Sequence, residues 1–207
     1  MNFVEKKSNF RKARFKMIIT KFVDFEAGSP QFRIKEHKGE GAKTYSYYSQ
    51  TDIVNDLITI PFIEEDHKQV TTTGNVVLVE EGDLIFSLIS GKCAIAQTYS
   101  SGYLLTQNYV KLRIKGGIDK KYLMYLINED KKIARQFQAS MQGSITMKYT
   151  VKQLRELDLK NLPSIEIQEK IGDIYTKQLR KQALKERLAK NETLLILEKL
   201  KEVNEHE

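Results

Sequence analysis

The chain has 207 residues, 41% of them hydrophobic and 29% charged, with a net charge of +7 and a pI near 9.2. That is room for one compact domain with an appendage, or for two small domains, with enough apolar content for a real core. No apolar run approaches the ~20 residues of a membrane span, the basic N-terminus lacks the apolar stretch of a secretory signal, and one cysteine, Cys93, cannot form an internal disulfide, so a cytoplasmic protein without a membrane partner is expected.

Net basic charge favours a polyanionic partner, but its distribution is uneven. Residues 1–21 hold Lys6, Lys7, Arg11, Lys12, Arg14, Lys16 and Lys21 against Glu5. Residues 22–150 are balanced at 15 basic and 15 acidic side chains, and residues 151–207 nearly so at 12 and 11. Nucleic-acid contact outside the N-terminal arm therefore has to come from local placement. The arm mixes its charges with Phe3, Phe10, Phe15, Met17, Ile18 and Ile19, which reads as a solvated helix docked on the domain, with direct nucleic-acid contact as the alternative.

Residues 22–75 are turn-rich. Gly28-Ser29-Pro30 opens a turn, Phe32-Arg33-Ile34 reads as a short strand, and Gly39 to Gly41 form a second turn. Tyr45, Tyr47 and Tyr48 then sit among polar residues. A half-buried strand explains that spacing, and stacking on bases, with Tyr47 as a contact, stays open beside it.

The stretch Val76–Ile114 is the organising sheet. Apolar runs alternate with turn clusters at Glu80 to Asp83, Ser90 to Lys92 and Ser100 to Gly102. In the last run, period two places Val110, Leu112 and Ile114 in the core and Lys111, Arg113 and Lys115 in solvent.

A helix is expected over residues 119–139, with Asp119 as N-cap, Tyr122, Leu123, Leu126 and Ile127 inward, and a polar break at Asn128 to Asp130. Gln142-Gly143-Ser144 is a loop, and Thr150 with Gln153 is a capping box for a short helix. From Pro163-Ser164 to about Val203 one helix runs on, about 60 Å long at 1.5 Å per residue. Its stripe of Ile167, Ile171, Ile174, Leu184, Leu188, Leu195 and Leu200 has to pack on something, most simply a partner helix. Leu194 to Leu197 is apolar on all sides, which asks for more than one neighbour.

Catalytic patterns are missing. There is no phosphate-binding Gly-rich loop, no Cys/His zinc constellation, no Gly-x-Ser-x-Gly elbow and no amino-methyltransferase Asn/Asp-Pro-Pro-aromatic motif. Asp24 with Glu36-His37-Lys38 is a weak nuclease-like match of the kind that arises by chance in charged sequences. No catalytic residue, metal or cofactor is expected.

The order of the motifs carries more than any one of them. Thr20 to Gly28 leads to Phe32-Arg33-Ile34; Tyr45 leads to Gln50-Thr51-Asp52-Ile53; Gly82 to Ser87 leads to Ser90-Gly91. The helix from Tyr122 to Asn128, then Gly143-Ser144, Leu154 to Leu157, Asn161 to Ile165 with Gln168 and Ile171, and a long helix follow. Over residues 20–200 this layout resembles the specificity (S) subunit of type I restriction–modification enzymes, and more narrowly half of one. The family's Pro-Pro-Leu and Glu-Gln at the helix entry stand here as Pro163-Ser164-Ile165 and Ile167-Gln168. The resemblance implies a target-recognition domain over residues 1–160 and a coiled-coil helix over 161–207 that spaces two such domains. It implies double-stranded DNA and methyltransferase subunits as partners, a restriction/translocase subunit indirectly, and pairing with a copy of itself or with another S chain.

The fold class expected is α+β: a twisted, mostly antiparallel sheet with short helices, then the long helix. The function expected is non-catalytic DNA reading. Polar side chains beside the expected turns, Gln50, Ser90, Lys92, Gln107 and Asn108, suit base edges, and Lys43, Arg113 and Lys148 suit phosphates. A coiled-coil adaptor without DNA reading and a nuclease using Asp24, Glu36 and Lys38 are the alternatives.

Overall fold

The computed structural model describes residues 16–37, 39–61, 66–141 and 148–205. Most of the basic arm, Lys38 and the Gln142-Gly143-Ser144 loop lie outside them. Among the described residues six strands and five α-helices follow in order: β1 (Val23–Ala27), β2 (Lys43–Ser46), α1 (Gln50–Ile58), β3 (Gln69–Thr72), β4 (Leu84–Ser87), β5 (Cys93–Ile95), β6 (Tyr109–Ile114), α2 (Lys120–Glu129), α3 (Lys131–Met141), α4 (Val151–Arg155) and α5 (Ile165–Glu205).

The main sheet has strand order β1-β6-β4-β5, antiparallel throughout, and β2-β3 form a separate antiparallel pair. The expected α+β class holds. The central strand β4, Leu-Ile-Phe-Ser, is buried on both faces. Leu84 and Phe86 join Val110, Leu112, Leu123, Ile133, Phe137 and Leu154 in one core, beneath α2, α3 and α4. Ile85 points the other way, into a second core with Tyr48, Ile53, Val79, Ala94, Leu105 and Tyr109.

That second layer corrects the reading of β6. Lys111 lies opposite Ile85 in the sheet, is 2% exposed, and pairs with Asp83 at 2.6 Å. Period two assigned the two faces correctly, and Arg113 and Lys115 are exposed as expected, but the Lys111 end of that face is covered by α1 and the extended segments around Val79 and Leu105. Three further differences are local. Val76 to Val79 makes one isolated bridge, Leu78 to Leu104, instead of a strand. Phe32-Arg33-Ile34 gives way to a 3₁₀ turn over Gln31–Arg33, since Pro30 sets its entry with φ −63°. The helix expected over 119–139 divides at Asp130, whose carboxylate accepts from the Lys132 and Ile133 amides and so starts α3 as α2 ends.

Capping is legible where it was expected. The Asp119 carboxylate accepts from the Tyr122 amide, and Thr150 and Gln153 form a reciprocal capping box. Helix α5 enters beside α2. Gln168, 2% exposed, accepts from the Asp119 amide and donates to the Pro163 carbonyl. Gly172 passes so close that a Cβ there would lie 2.7 Å from the Tyr122 nitrogen. Tyr175 donates to Glu129, and Arg180 donates to the Thr59 carbonyl at the end of α1. Ala183 is the last buried residue; every residue from Leu184 to Glu205 is exposed. The helix thus runs free for about 33 Å at 1.5 Å per residue.

Candidate nucleic-acid interface

One end of the main sheet collects loops from four parts of the chain, joined by backbone hydrogen bonds. The Gln107 amide donates to the Ser29 carbonyl, the Leu88 amide to the Asn108 carbonyl, and the Tyr149 amide to the Leu88 carbonyl. Segments 29, 107–108, 88 and 149 therefore lie side by side as a ledge. Two glycines permit the close approaches. A Cβ on Gly28 would sit 2.1 Å from the Thr106 carbonyl oxygen, and one on Gly91 2.3 Å from the Tyr149 ring. Gly91 also takes φ +69°, which closes the β4–β5 turn at low cost only in glycine.

The turn is held from within. Ser87 Oγ accepts from the Ile89 and Ser90 amides and donates to Gln50 Oε1 at 3.1 Å. Gln50 Nε2 donates to the Tyr109 hydroxyl at 2.6 Å. Gln50, expected at base edges, thus stands at the first turn of α1 and ties that helix to β4 and β6. Helix α1 itself went unread in the sequence. Its signal was present, because Ser49 and Asp52 form a reciprocal capping box.

Of the other expected contacts, Ser90 and Lys92 are exposed on the turn, Gln107 is exposed and Asn108 half-buried beside it, and Lys148 is exposed next to Tyr149. Neither Lys92 nor Lys148 has an ion-pair partner among the described residues, so both charges are open to an anion. Lys43 is exposed at the far end of β2, opposite Thr72, and Tyr47 is half-buried beside the Leu104 bridge. Arg113 is farther down β6 and is held by Glu26 at 2.6 Å, so its charge is already compensated. The ledge gathers Ser90, Lys92, Gln107, Asn108 and Lys148; Lys43 and Arg113 lie outside it.

Farther along α1, beyond the other end of β5, is a buried polar cluster. Asp56, 1% exposed, accepts from the Tyr48 and Ser100 hydroxyls and from the Gln97 amide. Burial pushes its carboxyl up to about 6, against the pull of those three hydrogen bonds. Asp52 accepts from the Ser49 amide and pairs with His67 at 2.9 Å. Of the nuclease-like pattern, Asp24 pairs with Lys115 at 3.1 Å and Lys38 lies outside the described residues. Among the described residues no group of three His, Cys, Asp or Glu side chains is placed to hold a metal ion, and no helix is long and apolar enough to cross a membrane.

Residues 25–194 match the family described as "Type I restriction modification DNA specificity domain" (Methylase_S). The chain belongs to this type I specificity family. No curated protein matches it. Among solved structures, a chain from work on complex assembly and conformational transition of the type I R-M system is 16% identical with a TM-score of 0.55, covering 88% of this chain and 42% of that one. The HsdS subunit from Thermoanaerobacter tengcongensis is 14% identical with a TM-score of 0.51, covering 96% and 45%. The type-I restriction-modification S subunit from M. genitalium is 11% identical with a TM-score of 0.50, covering 90% and 44%. At these identities the likeness is one of fold. This specificity-family chain spans less than half the length of those solved chains.

Proposed function

We propose that the chain is a half-specificity subunit, non-catalytic itself, that reads one half of a bipartite duplex DNA target and positions methyltransferase subunits on it. The ledge carries this reading: amide side chains (Gln107, Asn108) lie on one side of Leu88, and Ser90 with two cations that have no ion-pair partner among the described residues (Lys92, Lys148) lies on the other. Amide side chains suit the donor and acceptor pattern of base pairs in the major groove, and the flanking lysines suit phosphates. Residues 1–160 serve as the recognition domain and 161–207 as the pairing helix. A restriction/translocase subunit joins only through the methyltransferase.

The second half-site comes from a second copy bound along α5. Ile174, Leu184, Leu188 and Leu195 are 69%, 46%, 59% and 52% exposed, on the face opposite Gln168, Gly172 and Ala183, which pack on the domain. A dimer of this kind makes the target a split palindrome.

Two measurements test this. Light scattering gives the mass of the chain alone and with the methyltransferase encoded beside it; a dimer that grows on adding the methyltransferase is expected. Selection from random duplex DNA by that complex should return two inverted half-sites at fixed spacing. A monomer that ignores the methyltransferase, or a selection without sequence preference, removes the proposal.

A further inference from the structure

Phe32 is 77% exposed, more than any other large apolar side chain outside α5 among the described residues. It rides on the 3₁₀ turn Gln31–Arg33, which begins two residues after Ser29, the outermost segment of the ledge. The turn is firm. The Arg33 amide donates to the Pro30 carbonyl and the Ile34 amide to the Gln31 carbonyl. The Arg33 guanidinium lies 5.4 Å over the ring, within the range of a cation–π contact, and no carboxylate among the described residues pairs with it.

A single exposed aromatic needs no explanation by itself. This one lies three residues beyond Ser29, whose carbonyl accepts from the Gln107 amide at the polar end of the ledge, and a guanidinium without an ion-pair partner among the described residues is already seated on its ring. Phe and Arg occur at protein interfaces as well, but lysine and serine are depleted there, and the adjoining ledge carries Ser90, Lys92 and Lys148. These surroundings suit a duplex, where cations meet phosphates and an apolar group meets what apolar surface the groove offers. Phenyl carries no donor or acceptor, so it cannot read hydrogen-bonding edges. The apolar mark in the major groove is the thymine C5-methyl group. The amide side chains on the same ledge suit that groove too.

We propose that Phe32 reads a thymine through its C5-methyl group and that Arg33 holds a neighbouring backbone phosphate. This rests on the DNA-reading proposal above and adds a specificity-determining residue to it.

The test combines a protein variant with a base analogue, using the full chain assembled with its methyltransferase and the selected duplex. Thymines of the half-site are replaced one at a time by deoxyuridine, which pairs identically but lacks the methyl. At one position the wild-type complex should bind the deoxyuridine duplex about three- to fivefold more weakly, the fold-change for losing one buried methyl contact. Phe32→Ala should lose that discrimination at that position alone, while its thermal midpoint stays unchanged because the side chain is exposed. Arg33→Ala should weaken binding to all sequences alike and reduce the slope of log K against log salt by about one. If the wild-type complex is sequence-selective and Phe32→Ala keeps the thymine–deoxyuridine difference, or no thymine shows one, the inference fails and the DNA-reading proposal stands. If the wild-type complex shows no sequence preference, both fail.

Discussion

At the residue scale the buried carboxylate Asp56 couples stability to pH. Its folded value of about 6 lies above its ordinary value of 3.8. Between those values the folded chain holds a proton that the unfolded chain has lost, so this group's contribution is complete below pH 4 and declines as pH rises through 6. Asp56→Asn should flatten that decline. The amide oxygen can still accept from Ser100 and Gln97, and the amide nitrogen can donate to the Tyr48 oxygen. Asp56→Ala strips the partner from all three groups and should cost about 3 kcal/mol or more. Urea unfolding at pH 4, 5, 6 and 7 reads both; an Asn variant with the wild-type pH profile would remove the assignment. Gln50 makes a related point. Its residue type suits a base edge, yet its amide is engaged with Ser87 and Tyr109 inside the molecule. Residue type states what a side chain can bind, and only packing decides whether it is free to do so.

At the element scale the seat of α5 turns on Gly172. In a helix interior, glycine to alanine gains about 1 kcal/mol from lower backbone entropy. Here the added Cβ would lie 2.6 Å from the Lys121 Cβ and 2.7 Å from the Tyr122 nitrogen, and backbone cannot move aside as a flexible side-chain tip can. The overlap wins, so Gly172→Ala should be net destabilising by about 1–3 kcal/mol, through displacement of α5 from α2. Chemical denaturation measures it, with Gly102→Ala as the control in open space, where the strain is conformational only. The elements themselves were largely legible. Asp119, Thr150 with Gln153, and the long run after Pro163 announced α2, α4 and α5, because caps and periodicity are local signals. Helix α1 was missed among the tyrosines, although its capping box could have shown it.

At the scale of the whole molecule, the charges in the α5 seam would select how two copies meet in the proposed dimer. Lys177, Lys181, Glu198 and Glu202 interrupt the apolar positions marked by Ile174, Leu184, Leu188 and Leu195. Parallel pairing would set each charge against its own copy. Antiparallel pairing with Leu184 opposite Leu195 sets Lys181 against Glu198 and Lys177 against Glu202. Sliding by one heptad puts Lys177 against Leu195, or Leu184 against Glu202. In the favoured register the band Leu194 to Leu197 leaves the free end of one helix and approaches the domain-bearing half of the other. The two Gly172 positions would then stand about 50 Å apart along the pair, and under the proposed function this distance would set the spacing between half-sites. Lys181→Glu should weaken the dimer about tenfold or more through like-charge contacts that repeat by symmetry, and Glu198→Lys added to it should restore most of the loss. Light scattering over a dilution series reads both; a double variant no better than the single one would reject this register.

The sequence by itself determined what rests on neighbours along the chain: helix starts, the faces of β6, the length of α5, and the motif order that placed the chain in its family. Tertiary structure decided what depends on distant segments meeting. A second layer buried Lys111 with Asp83, the relay through Ser87 and Tyr109 engaged Gln50, and Gly28 and Gly91 let four separated loops close into one ledge. Periodicity says which side chains share a face. Whether that face meets water, a second layer or DNA is settled only when the rest of the chain has packed against it.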